Sequence, residues 1–199
     1  MALTTQKHKF LLIIPLLFGV LVGGWVWNFK AEVPDSSSSI QLGGDFTLKS
    51  HQGDVSLQDF KGKAVLLFFG YTSCPDVCPT GLAKMSAAIN LLTPEAAANV
   101  QPIFVSVDPE RDDPQKLAEY SAYFHPSLLG LTGKKEDIDR VVKAYGAFYQ
   151  KVELSNSALG YSMDHTTRIY LINKVGKLSE LLFHDTAPPK IAEKLRAIL

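Results

Sequence analysis

Cys74 and Cys78 are the chain's 2 cysteines, and they stand four apart in Ser73-Cys-Pro-Asp-Val-Cys-Pro-Thr80. A thiolate is both a nucleophile and a soft metal donor. A pair at this spacing can form a disulfide, attack one, or hold a metal ion. An inert structural disulfide is the remaining alternative in an oxidising compartment. The short loop weakens that reading, because closing four residues removes little chain entropy and a strained bridge is reducible.

The pair needs elements to present it. Val65 to Phe69, bounded by Lys63 and Gly70, reads as a buried strand, and Pro79 to Leu92 reads as a helix. Both thiols then sit at a strand-to-helix turn, where the unpaired N–H groups of a helix start favour thiolate over thiol. Upstream, Phe46-Thr-Leu and Val55-Ser-Leu flank His51-Gln-Gly-Asp54 and predict a hairpin. Downstream, Ile103 to Val107 predicts a second buried strand, and Asp113-Pro114 is an N-cap and first-turn pair for a helix reaching Phe124. A short strand over Leu128 to Leu131 leads into a helix from Lys135 to Tyr145. Thr167 to Ile172 and Leu178 to Phe183, joined by Asn173-Lys-Val-Gly176, predict an antiparallel hairpin before a C-terminal helix from Pro188 or Pro189 to Leu199. A β-α-β start, a β-β-α close and cysteines after the first core strand together predict an α/β, thioredoxin-like fold, with a central mixed sheet flanked by helices.

The N-terminal residues set the compartment. Lys7, His8 and Lys9 precede an uncharged stretch from Phe10 to Phe29, which Lys30 closes. Twenty such residues in a helix span about 30 Å, enough for a bilayer core. Trp25 and Trp27 lie at its end, where interfacial aromatics belong. The run is longer than a usual signal-peptide core and no small-x-small cleavage site follows it. The expectation is a cytoplasmic N-terminus over 1–9, a single transmembrane signal anchor over 10–29, a Ser-rich tether over 30–40 and an exported domain over 41–199. In a bacterium this places the domain on the periplasmic side of the inner membrane. Removing Lys7, Lys9 and Lys30 from a balance of 20 basic and 20 acidic residues leaves that domain slightly acidic. Nucleic-acid binding has no support from such a charge.

Lys61-Gly-Lys-Ala-Val-Leu-Leu-Phe-Phe-Gly-Tyr-Thr-Ser-Cys-Pro-Asp-Val-Cys-Pro-Thr80, Val105-Ser-Val-Asp-Pro-Glu-Arg-Asp112, Gly130-Leu-Thr-Gly133 and Tyr161-Ser-Met-Asp-His-Thr166 resemble, in order, the motifs of the Sco/SenC family of copper-binding assembly factors. The resemblance runs from Phe46 onward. It implies a membrane-tethered, thioredoxin-like domain that binds copper and helps mature the binuclear copper site of cytochrome c oxidase. The implied ligands are Cys74, Cys78 and His165, and the implied partners are the oxidase's copper-site subunit and a periplasmic copper donor or thiol reductant.

Donor chemistry agrees with copper. Thiolates select Cu(I), imidazole suits copper in either oxidation state, and two sulfurs with one nitrogen can hold a three-coordinate ion. A closed structural zinc site needs four ligands, which leaves zinc the weaker metal. Three intervening residues depart from the Cys-x-x-Cys of redox enzymes and let the sulfurs straddle a metal. Spacing alone does not select His165 among the chain's 5 histidines; the family resemblance does. Two function classes stay open. In one, the three residues carry copper. In the other, Cys74 and Cys78 are a redox-active pair that reduces a partner's disulfide or senses redox state. Oxidation to a Cys74–Cys78 disulfide would remove both thiolates, so copper should load only onto reduced protein.

Secondary candidates have plain structural alternatives. Asp76 could tune the thiols or cap the helix, and Asp164 could support the imidazole or lie in water. Met85 falls on the helical face of Cys78 and Met163 lies two residues before His165, but each reads first as core. Asp108, Pro109 and Arg111 follow the second core strand and read as a partner-docking loop or as turn and capping residues.

Overall fold

A computed structural model describes residues 42–155 and 157–199. The expected anchor, the tether and His8 lie outside the described residues. Among the described residues, no helix is long and apolar enough to cross a membrane.

The chain opens with a hairpin of β1 (Thr47–Ser50) and β2 (Gly53–Ser56). Its turn is the two residues His51 and Gln52, so Gly53 belongs to the second strand. After a 3-10 turn at Leu57–Phe60 comes β3 (Ala64–Gly70), all seven residues of which are buried. The order continues α1 (Val77–Asn90), α2 (Pro94–Ala97), β4 (Val100–Ser106), α3 (Pro114–Phe124), β5 (Leu129–Leu131), α4 (Lys135–Ala144), β6 (Tyr149–Glu153), β7 (Tyr161–His165), β8 (Arg168–Ile172), β9 (Leu178–Phe183) and α5 (Pro188–Ile198).

β3 is the centre of a five-stranded sheet ordered β5-β4-β3-β8-β9. Its pairing with β4, and that of β4 with β5, is parallel; β8 joins antiparallel and β9 antiparallel to β8. The predicted central mixed sheet flanked by helices is therefore present, in a thioredoxin-like arrangement. A strand buried on both faces needs side chains packed on each side, and β3 divides its aromatics accordingly. Phe68 packs beneath α1, where a Cβ on Gly81 would meet its ring at 3.1 Å. Phe69 points the other way, edge-on to Tyr145 and Tyr170, at ring separations of 6.1 and 5.4 Å. α1 packs on both α3 and α5.

Two local features differ from the sequence-based expectation. α1 begins at Val77 rather than Pro79, because proline is tolerated anywhere in a helix's first turn, where its missing N–H has no partner to lose. Cys78 is thus inside the helix. The other difference is the β6–β7 hairpin, a separate two-stranded sheet pairing Tyr149 with His165 and Glu153 with Tyr161. His165 ends a strand, in a stretch before Thr167 for which the sequence predicts no element. Asp113 does cap α3, accepting from the Lys116 N–H at 2.8 Å.

Candidate metal centre

Cys74 lies in the turn between β3 and α1, and Cys78 in the first turn of α1. Their burial differs. Cys78 is fully buried, whereas Cys74 keeps 9% of its surface at the rim. Gly70 makes room for Cys78. A Cβ there would stand 2.5 Å from the Cys78 sulfur and 2.8 Å from the Phe104 ring, closer than van der Waals contact permits. The turn is braced by Asp112, whose carboxylate is 1% exposed. It accepts from the Thr72 N–H at 2.8 Å, the Thr72 hydroxyl at 2.5 Å, the Ser106 hydroxyl at 2.7 Å and the Lys116 ammonium at 3.0 Å. These bonds tie the cysteine turn to the end of β4 and the start of α3.

His165 reaches the thiols from the end of β7. Its Nδ1 lies 3.1 Å from the Thr166 carbonyl, an acceptor only, so this nitrogen carries the proton. Nε2 then presents a lone pair and faces the Cys78 sulfur at 3.4 Å. Phe68 and Tyr71 hold the ring edge-on, with centroids 6.4 and 5.8 Å away. A backbone carbonyl fixing the tautomer from behind is a usual support for a ligating histidine.

The sulfurs of Cys74 and Cys78 and a ring nitrogen of His165 all lie within 4.8 Å of one another. Donors at about 2.3 Å from a common ion, the length of a metal–thiolate bond, stand about 4 Å apart when arranged as a triangle. The three atoms fit one ion with small adjustments. Cys74 and His165 line an open depression of about 410 Å³ whose walls also include Tyr71 and Met163, and Cys78 lies buried behind them.

The thiols are electrostatically unequal. Both are free. The Cys78 thiol beside it, then the backbone N–H groups of Asp76 and Cys78, hold Cys74 down to about 3 against the pull of burial. Cys78 is pushed far up by the same bond to Cys74, by burial and by its neighbour's negative charge. The pair therefore carries one thiolate, at the rim, and one protonated sulfur beneath it.

Cys74, Cys78 and His165 are brought together. The secondary candidates take plainer roles. Asp76 stands at the N-cap position without a side-chain cap bond, and its carboxylate instead accepts from the Thr80 hydroxyl at 3.3 Å. What Asp76 gives the site is its backbone N–H. Asp164 is exposed at the edge of the depression and has no bond to His165, and the imidazole's support is the Thr166 carbonyl instead. Met85 is 1% exposed in the core, while Met163 is 7% exposed and lines the depression. Asp108 and Arg111 are internal anchors of the loop that also holds Pro109, since Asp108 is 2% exposed and accepts from Arg111 Nε and the Tyr161 hydroxyl. Sequence reading passed over Gly70, Thr72, Ser106 and Asp112 as supports of the site. Only Asp112, an acidic residue beside a helix cap, offered any signal, and its burial was not visible.

Residues 34–199 match the sequence profile of the SCO1/SenC family. The chain is 33% identical over 206 residues to the SCO2-like protein of Rickettsia felis, covering 98% of this chain and 99% of that one. Among solved structures it is similar to apo Sco1 from Thermus thermophilus, at 42% identity and a TM-score of 0.73, covering 80% of this chain and 92% of the other. It is also similar to Bradyrhizobium japonicum ScoI with copper bound, at 38% identity and a TM-score of 0.72, covering 79% and 99%. With a match over most of its length, the same fold and the three convergent donors, the chain belongs to the SCO1/SenC family.

Proposed function

We propose that the protein holds one copper ion through Cys74, Cys78 and His165 and carries it from a membrane anchor to the binuclear copper site of cytochrome c oxidase. The observation that carries this reading is the convergence of two sulfurs and one imidazole nitrogen within 4.8 Å beside an open depression. Two soft donors and one borderline donor suit Cu(I), and the imidazole keeps Cu(II) accessible. Within the described residues the cluster contains no fourth histidine, cysteine or carboxylate, as a structural zinc site would require. The copper-bound relative supports the choice of metal. Family membership supports the oxidase as recipient, and a periplasmic donor or reductant would complete the route. Anchoring follows from the uncharged run over 10–29 and would keep the domain at the periplasmic face of a bacterial inner membrane.

The test is a copper titration of the reduced protein followed by X-ray absorption. One equivalent should bind with both sulfur and nitrogen ligation, and in His165→Ala the nitrogen ligation should be lost and the affinity fall to that of the two thiolates alone, with thiol exchange intact. Unchanged affinity in His165→Ala refutes the three-donor site.

A second reading has an observation of its own. A thiolate at the rim above a buried, protonated partner is the arrangement that thiol–disulfide exchange uses. Cys74 would attack a partner's disulfide and release one partner thiolate. Cys78 would then lose its proton and attack the Cys74 sulfur, closing a Cys74–Cys78 disulfide and releasing the second partner thiol. Two electrons pass to the partner. Loss of this activity in Cys74→Ser, with His165→Ala unaffected, separates it from copper carriage.

A further inference from the structure

His165 belongs to the β6–β7 hairpin, which shares no strand pairing with the central sheet. The sheet ladder reaches Thr167, whose carbonyl accepts from the His184 N–H at 3.2 Å, but pairs no residue of β6 or β7, so by itself it does not hold the imidazole against thiols carried by α1 and the turn after β3. We propose that Arg111 is the positioning residue that does so, acting through Tyr161 and Tyr71. The inference rests on the three-donor site proposed above.

Arg111 lies between β4 and α3 and touches both halves of the site. On one side, Nε donates to the buried Asp108 carboxylate at 2.5 Å, and Asp108 also accepts from the Tyr161 hydroxyl at 2.8 Å. On the other, Nη1 donates to the carbonyls of Leu159 at 3.2 Å and Tyr161 at 3.0 Å, where β7 begins. The guanidinium lies over the Tyr161 ring at 3.6 Å and 5.6 Å from the centre of the Tyr71 ring. Nη2 is buried without a hydrogen-bond partner, a state tolerable for a weakly hydrated cation between aromatic faces. Tyr71 in turn stands edge-on against His165 at 5.8 Å. One planar cation thus joins the β4 end, the start of the histidine strand and the aromatic wall of the cysteine turn.

The hairpin's other cross-links are weaker as anchors. Lys151 pairs with Glu110, but their side chains are 38% and 66% exposed and their attraction is screened by water. The Tyr149 hydroxyl donates to Asp139, which is itself 45% exposed. Arg111 touches no donor atom of the site. Its removal should free the hairpin and His165 while the thiols, held by Gly70 and Asp112, stay in place.

A double-mutant cycle on the full-length reduced protein tests this, with Cu(I) affinity measured by chelator competition. Arg111→Ala should weaken binding by about 10- to 100-fold, the usual effect of removing support from a ligating histidine. In the His165→Ala background the same change should cost no more than about twofold, because a residue acting only through the imidazole has nothing left to position. In the metal-free protein, the His165 Cε1–H resonance should move in Arg111→Ala. Arg111→Lys should fall between, since one ammonium cannot reproduce the planar fork. An equal loss in both backgrounds, or an unmoved imidazole resonance, overturns the proposal. Should Arg111→Ala fail to fold, Arg111→Lys carries the same two comparisons. If the wild-type protein binds no copper, the copper site fails and the imidazole resonance alone decides the positioning role.

Discussion

With the Cys78 thiol buried and bonded toward Cys74, the pair keeps one proton over a wide range of pH. Cys74 is held to about 3, while in the unfolded chain both thiols titrate near the ordinary value of 9.0. Between these limits the unfolded chain binds one more proton than the folded one, so the pair's contribution to stability rises with pH. Above the ordinary thiol range the sign reverses, because the unfolded chain ionises both sulfurs and the folded chain still protonates Cys78. Denaturation of the reduced, metal-free protein against pH should therefore show a rising limb that Cys74→Ser lacks. A difference between the two proteins that is flat with pH would refute the shared proton. None of this asymmetry is readable from two identical letters four apart. It comes from Gly70, which lets one sulfur sink against the sheet while the other stays at the rim.

At the scale of elements, the junction of β3 and α1 is the tightest part of the site. Gly70→Ala places a methyl against the Cys78 sulfur and the Phe104 ring, neither of which has space to retreat in a fully buried core. Overpacking of this kind costs about 1–3 kcal/mol, expected as a melting temperature lower by several degrees, with weaker copper binding as Cys78 is displaced. A variant as stable as the wild type would show that α1 can shift to accommodate the methyl. The strands β3 and β4 and the capped helix α3 were legible because continuous apolar runs and an Asp-Pro cap are strong local signals. The β6–β7 hairpin was not. Tyr149 to Glu153 alternates weakly, half of it faces water, and its pairing with Tyr161 to His165 spans a long irregular connection. His165 was found by family resemblance, and its true element was hidden by that weak pattern. Arg111 and Asp108 drew notice by their place after the second core strand, but their burial and their bonds to the β7 strand depend on contacts distant in sequence.

For the whole molecule, the central sheet presents the thiols from one end and the separate hairpin supplies the imidazole. The overall α/β arrangement was legible from element order alone, because each strand and helix has a period of its own. Which element closes over the cysteines was not, since that depends on contacts far apart in the chain. The apolar run over 10–29 adds an expectation at this scale. In bacterial cells the full-length protein should sediment with membranes, resist extraction by salt, and be cleaved by protease added to spheroplasts. A protein recovered in the soluble fraction would remove the anchor from the proposed function.

The depth of the two sulfurs also imposes a sequence on departure. Cys78 is sealed under the sheet end and α1, while Cys74 and His165 border the open depression. An incoming ligand can approach an ion held by these three atoms only from the open side. In an associative exchange the bonds to Cys74 and His165 are then the first to be traded and the bond to Cys78 the last. In the proposed copper site the buried sulfur would set the residence time, and Cys74 and His165 at the rim would set how fast exchange begins.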